Sequence, residues 1–308
     1  MIHQVRLIAA HLVMFGLLIG FVQPAHGNKY ADRHKKVVKG DTLYGATYYE
    51  TDGTYHFIVD SYNNRVIYSR TLATPISEWK TLATGLSWPH SIATDGEFYL
   101  IDDTYADRVA AYRKTPEGFE LTTVFEDAGI RPHRVRYDPL TKAFYVIGSL
   151  SQTMTKIRNK NGKLIQVHKK PLRFLKGAYT RSFSIIDKKM YFVSGPGKIH
   201  EVSYIDGRYT VMNNYRVPDG YQDMIDIYYS GNRYYLSSIS GKVLVCEQLA
   251  NLVAGRCEDI YRSSRFGGVP YYFSGWGDDI FVTSLDDRWV LKFQDSDGLT
   301  RPRSIFKN

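Results

Sequence analysis

Beyond residue 40 the chain alternates between short apolar stretches and turn signals, and no amphipathic helical pattern longer than a few turns interrupts them. The stretch WPHSIATDGEFYLIDDTYADRVAAYRK shows the unit most clearly. A strand leads into a tight Asp95-Gly96 turn, a second strand of aromatic and aliphatic residues follows, and a second turn introduces a third strand. The same sentence recurs as ATYYETDGTYHFIVDSYNNRVIYSR before it, and then as RPHRVRYDPLTKAFYVIGSLSQTMTKIRN, TRSFSIIDKKMYFVSGPGKIHEV, YQDMIDIYYSGNRYYLSSISGKVLVCEQ and VPYYFSGWGDDIFVTSLDDRWVLKFQ. Between the units lie segments that read as fourth strands: EWKTLATGL, FELTTVFED, KLIQVHKK, RYTVMNNYRV and CEDIYRS. RPRSIFK at the C-terminus or HKKVVKG near the N-terminus supplies the sixth.

A basic residue followed by a β-branched or aromatic one, just after a turn, marks each copy: Arg65, Arg108, Lys156, Lys198, Lys242 and Arg288. Their gaps are 43, 48, 42, 44 and 46 residues. Four strands and their turns need roughly 40 to 50 residues, the period of a propeller blade. Six copies therefore predict an all-β, six-bladed β-propeller with four-stranded antiparallel blades. The 25 Tyr and 15 Phe, with many Val, Ile and Thr, agree with strands. A closed ring of this size is one domain, so residues 42–308 are expected to form it, with 28–41 as an N-terminal segment that is an outer closing strand in one reading.

The first 27 residues are of another kind. His3 and Arg6 precede an apolar run from Leu7 to Val22, and Ala25-His26-Gly27 places small residues where a signal peptidase reads. The expectation is a cleaved secretory signal, with an uncleaved anchor as the other reading. The mature chain is then secreted or periplasmic, with no transmembrane span after cleavage. Cys246 and Cys257, the only cysteines, flank the turn EQLANLVAGR between the third and fourth strands of blade 5. Antiparallel pairing there predicts a disulfide; two unrelated buried thiols are the alternative.

A net charge of +9 favours an anionic partner, whether small molecule, polysaccharide or protein. No run of consecutive Lys or Arg marks a nucleic-acid arm. Strand direction then says which residues share a face. The start of each first strand and the turn between strands two and three lie on one side of the ring, so the basic turns and the first-strand starts are neighbours. Aligning those starts puts His90 and His133 at equivalent places, each five residues before an Asp. Asp223 in blade 5, Ser182 beside Arg181 in blade 4, Tyr271 in blade 6 and Thr47 in blade 1 complete the set.

His90, His133, Arg181, Asp223, Tyr271, Arg65 and Arg108 are thus the candidate ligand-binding residues. Each has a structural alternative: the histidines as backbone caps, the basic turns as stems packed on the next blade with their heads on local acids such as Asp60 or Asp103. Two imidazoles and a carboxylate, His90, His133 and Asp223, also form a candidate metal set, with Tyr271 or Arg181 stabilising developing negative charge. No catalytic residue is assigned.

Pro-His at a strand start, an Asp-Gly turn, an aliphatic-Asp strand end and then Asn-Asn-Arg-Val or Asp-Arg-Val resemble NHL-type repeats. These are similar to the blades of gluconolactonase and strictosidine-synthase-like six-bladed propellers. The resemblance covers nearly all of residues 42–306, most fully in blades 1 and 2, and it implies fold more than function, since the fold hosts lactonases, lyases and binding scaffolds. Gluconolactonase-like enzymes hold calcium through an acidic residue of the first blade. Here Tyr44-Gly45-Ala46-Thr47 stands in that place. The amidating lyases of this fold hold zinc with channel histidines, where His90 and His133 would stand, so a metal-dependent hydrolase or lyase using zinc or calcium is the alternative to an exported binding module.

Overall fold

A computed structural model of the chain describes residues 42–261, 266–286, 289–294 and 302–306. The signal reading of residues 1–27, the segment 28–41 and Arg288 lie outside them. Among the described residues there are six four-stranded antiparallel sheets, each formed by four consecutive strands, and the fold is a six-bladed β-propeller. Blade 1 comprises β1 (Ala46–Thr51), β2 (His56–Asp60), β3 (Arg65–Ser69) and β4 (Lys80–Ala83). Blade 2 comprises β5 (Ile92–Thr94), β6 (Phe98–Asp103), β7 (Arg108–Thr115) and β8 (Gly118–Phe125). Blade 3 comprises β9 (Pro132–Asp138), β10 (Ala143–Gly148), β11 (Thr153–Lys160) and β12 (Lys163–Pro171). Blade 4 comprises β13 (Thr180–Ile186), β14 (Lys189–Ser194), β15 (Lys198–Ser203) and β16 (Thr210–Arg216). Blade 5 comprises β17 (Met224–Ser230), β18 (Arg233–Ser238), β19 (Lys242–Cys246) and β20 (Glu258–Asp259). Blade 6 comprises β21 (Pro270–Trp276), β22 (Asp279–Ser284), β23 (Val290–Gln294) and β24 (Arg303–Ser304).

Burial grades across each blade. The second strands read as continuous apolar runs, buried along their whole length in β6 and β10, because blades cover both their faces. The fourth strands β12 and β16 are largely exposed. Apolar side chains interleave between neighbouring blades: Phe98 and Leu100 of blade 2 join Val135, Phe144 and Val146 of blade 3 in one buried cluster. Each such side chain contributes about 1.5–3 kcal/mol on burial, so the interfaces between blades hold the ring. It closes between blades 6 and 1, where the Tyr49 and Phe281 rings stand 4.1 Å apart and the Thr283 hydroxyl donates to the Thr47 carbonyl at 2.7 Å. The C-terminal strand β24 completes blade 6, and Ile305 and Phe306 pack on the cluster that holds Leu43 and Trp79.

Cys246 and Cys257 form a disulfide around a single helical turn, α1 (Leu249–Val253), whose Leu249 and Leu252 are buried. No helix among the described residues is long and apolar enough to cross a membrane.

The basic turn is a structural device where it is best developed. Asp60 and Asp103 end the second strands of blades 1 and 2, fully buried, and each takes an N–H from the loop preceding the same blade: Tyr44 onto Asp60 at 2.7 Å, Ser87 onto Asp103 at 2.5 Å. Burial pushes the Asp60 carboxyl above its usual range. Arg65 and Arg108, directly opposite in the ladder, close these pairs at 2.8 Å. Both are therefore engaged in holding their own turns. In blade 3 the ladder gives a correction: the residue opposite the end of β10 is Thr153, and Lys156 lies three residues further on, buried, with its Nζ 5.1 Å from the Tyr145 ring. The repeat is evener than the lysine made it look.

Candidate ligand-binding site

At the start of each first strand one residue has no partner in the ladder. The register skips Thr47 in blade 1, His133 in blade 3, Arg181 in blade 4 and Ile225 in blade 5; in blade 6 it shifts by one residue between Pro270 and Phe273, with Tyr271 at the matching place directly after Pro270. In blade 2 pairing begins at Ile92, and counting back along the register puts His90 in the same place. Such a bulge re-aims a side chain and ends pairing. Six bulge residues, one per blade, thus surround one mouth of the ring, two of them histidines.

Two of the expected positions change. Asp223 stands two residues before the bulge of blade 5 and is exposed, while Ile225 occupies the bulge. The sequence alignment, counted back from the second strand, slipped because the turn between β17 and β18 is two residues shorter than the turn between β9 and β10. The acid of blade 5 that matters is Asp226, fully buried one residue beyond the bulge. In blade 4 the position falls to Arg181 itself, with Ser182 next to it.

The residues following each bulge close the ring axis beneath the mouth. The Arg134 guanidinium lies between the rings of Tyr48 and Tyr272, at 4.1 and 4.0 Å, and pairs with Asp226 at 3.7 Å. Ser182 donates to Asp226 at 2.5 Å, and the Phe273 N–H does so at 2.9 Å. Arg134 and Asp226 are both wholly buried, so the pair has no water to relax into.

Above this floor the imidazoles of His90 and His133 stand 4.0 Å apart, ring to ring, both side chains nearly buried. Their proton positions follow from their partners. His90 Nδ1 lies 2.9 Å from the Thr104 hydroxyl, which also faces the Pro132 carbonyl at 2.7 Å and the Asp102 carboxyl at 2.9 Å. Thr104 has one proton and two oxygen acceptors for it, so Nδ1 of His90 must donate. His133 repeats this logic with different residues. Its Nδ1 lies 2.8 Å from the Tyr272 hydroxyl, whose proton is taken by the carbonyl of Arg181 at 2.8 Å or of His133 at 3.0 Å. Both rings therefore carry the proton on Nδ1 and present Nε2 as an acceptor.

Burial, reinforced by the nearby Arg181 and Arg131 charges, takes His90 down to about 3. His133 is held well below its ordinary value by burial, by His90 and by Arg181. Both are neutral at physiological pH. Tyr271, 5.9 Å from His90, is pushed well above the usual phenol range by burial and stays protonated. Burial also lifts Asp102, which accepts from the Ser91 hydroxyl and the His90 N–H, to about 6.

Several residues of the mouth escaped the sequence reading. Arg131 and Trp88 each stand two residues before a bulge histidine, directly before a proline, with φ of 50° and 55°. That left-handed conformation is strained for a large L-residue. At the matching place in blade 1 stands Gly45, with φ of 75°. Side chains hold the strained positions: Asp107 accepts the Arg131 N–H at 2.7 Å, and Asn64 accepts the Trp88 N–H at 3.1 Å. The Arg131 guanidinium lies 4.1 Å from the Tyr105 ring and that of Arg181 lies 4.6 Å from the Tyr179 ring. Neither pairs with a carboxylate among the described residues. The tripeptides Trp88-Pro89-His90 and Arg131-Pro132-His133 carried this signal, since a bulky residue before Pro-His occurs twice at one blade position.

The remaining histidines of the described residues are engaged elsewhere, His56 with Tyr49, His168 with Tyr209 and His200 with Asn214. Among the described residues no three His, Cys, Asp or Glu side chains converge as metal ligands. The two imidazoles also sit in the field of two guanidinium groups, which opposes a divalent cation, so the donor set does not fit zinc or calcium.

No family model matches the sequence, and no curated protein matches it either. Solved structures are similar in fold. Hydrazine synthase from Kuenenia stuttgartiensis is 15% identical, with a TM-score of 0.59, over 84% of this chain and 79% of that one. Streptogramin B lyase is 11% identical, with a TM-score of 0.58, over 87% and 85%. A Bacteroides fragilis protein described as a candidate 6-phosphogluconolactonase is 16% identical, with a TM-score of 0.57, over 84% and 83%. These likenesses show the propeller fold, as the NHL-like resemblance implied, and at such identities nothing further.

Proposed function

We propose that this chain is an exported propeller that binds an anionic ligand at the mouth formed by His90, His133, Arg131, Arg181 and Tyr271. The carrying observation is the pair of guanidinium groups, Arg131 and Arg181, that flank two neutral imidazoles and rest on tyrosine rings instead of carboxylates. Arginine offers a planar fork that matches carboxylate or phosphate oxygens. The two Nε2 atoms accept hydrogen bonds from hydroxyl or N–H groups of the same ligand, and the Tyr271 phenol is a neutral donor. Export rests on the sequence reading of residues 1–27 and accords with a disulfide, which persists in oxidising compartments.

The basicity of the histidines favours binding over hydrolysis or elimination. A general base serves best with a pKa near the working pH. At about 3, His90 accepts a hydrogen bond at neutral pH but takes up a proton poorly. Calorimetric titration of the purified protein with citrate and with inorganic phosphate tests the reading. Binding of either, weakened at least tenfold by Arg131→Ala or Arg181→Ala, supports it. Affinity unchanged in both variants removes the mouth as the site.

A further inference from the structure

A row of aromatic rings runs from the mouth across blades 1 and 2. Trp88 stands 5.5 Å from Tyr62 and 4.6 Å from Tyr105, ring to ring, and Arg131 lies against the far side of that row on Tyr105. Local structure places the rings. Tyr62 and Tyr105 occupy equivalent positions in the 3-10 turns Ser61–Asn63 and Thr104–Ala106, on the side of the ring where the first strands begin. Trp88 is set between them by its bond to Asn64 and by the Tyr105 N–H donating to the Ser87 carbonyl at 3.0 Å. Tyr105 is 45% exposed and Trp88 is partly exposed. The left-handed backbone at Trp88 is a standing cost for holding this large ring here, where Gly45 takes the same conformation freely.

Resting on the anion-binding reading above, we infer that the ligand is an acidic carbohydrate whose carboxylate is taken by Arg131 and Arg181 and whose neighbouring sugar rings lie on Trp88 and Tyr105. Three chemistries meet here. Aromatic faces suit the C–H faces of pyranose rings. The guanidinium groups supply the charge complement. The Nε2 acceptors of His90 and His133 call for donors, which sugar hydroxyls provide in number. A nucleotide fits less well. Neighbouring rings of the row meet at 64° and 56°, so no two parallel faces form a slot for a planar base.

Calorimetry on the purified protein separates the cases, using uronate trisaccharides of galacturonic, guluronic and glucuronic acid, their uncharged methyl esters, citrate and AMP. At least one acidic trisaccharide is expected to bind tenfold or more tighter than both its ester and citrate. Trp88→Ala and Tyr105→Ala should each lower that affinity at least tenfold and lower citrate affinity by less. Tyr105→Ala alters only a partly exposed side chain, so a folding failure of Trp88→Ala leaves the test intact. Citrate binding as tightly as every trisaccharide overturns the carbohydrate inference while leaving the anion site standing. Tighter binding of AMP replaces it with a nucleotide. If none of citrate, inorganic phosphate, AMP and the acidic sugars binds, the anion-binding reading falls with it.

Discussion

His133 donates its Nδ1 proton to the hydroxyl of Tyr272, 2.8 Å away and 139 residues later in the chain. Blade 6 thereby reaches across the ring axis and fixes which nitrogen of a blade 3 histidine faces the mouth. Tyr272→Phe removes this acceptor and the phenol's bonds to the His133 and Arg181 carbonyls. It should cost about 1–3 kcal/mol in denaturant unfolding, because buried partners are left unsatisfied. In 15N spectra the His133 ring should change from a single Nδ1–H tautomer to a mixture, while His90, held by Thr104, keeps its own.

Acid should destabilise the fold through the two histidines. Each binds a proton in the unfolded chain below pH ~6.5 and resists one in the folded state, so the unfolded state holds more protons and stability rises with pH in that window. The contribution is complete above pH ~6.5 and is lost on acidification, at up to about 1.4 kcal/mol per pH unit for each ring. Asp102 works the other way between its ordinary value and about 6, since the folded state then holds the extra proton. His133→Gln isolates the histidine contribution. From pH 7 to 5 it should lose up to about 2 kcal/mol less stability than wild type.

Asp226 and Asp223 should behave oppositely. Asp226→Ala leaves Arg134 charged and buried between two tyrosine rings, and should cost about 3–5 kcal/mol. Asp223→Ala alters an exposed carboxylate and should stay within about 0.5 kcal/mol. Equal effects in urea unfolding would contradict the register described here.

Arg131 trades stability for position. At φ of 50° an alanine keeps the strain of an L-residue and a glycine does not. Arg131→Gly should therefore unfold about 1 kcal/mol later than Arg131→Ala, although both lose anion binding equally. The ordinary order, with alanine the more stable, would mean that this backbone carries no strain.

The propeller and its strands were legible because the period is long, the turn chemistry repeats and the second strands are continuously apolar. The disulfide followed from two cysteines facing each other across one turn. His90, His133 and Tyr271 stand at the first-strand starts as the sequence placed them, because a proline directly before each, Pro89, Pro132 and Pro270, marks that start. Blade 5 failed for want of that landmark: nothing in YQDMID says whether Asp223 or Asp226 turns inward, since one bulge shifts the whole register. For Arg65 and Arg108 the sequence offered both a ligand-facing rim and a pairing with local acids such as Asp60 and Asp103, and the ladder places those buried aspartates directly opposite them. For Arg131 and Trp88 the repeated bulky residue before Pro-His marked the position but not its backbone, as a left-handed residue before proline goes against local preference and is imposed by tertiary contacts.

The claim that the mouth holds an anion is tested most directly by the 15N resonances of the two imidazoles during a citrate titration. In wild type both Nε2 signals should shift with saturation, and in Arg131→Ala/Arg181→Ala they should stay still at the same concentrations. Binding that leaves both imidazoles unmoved, or moves them equally in the double variant, would contradict the site.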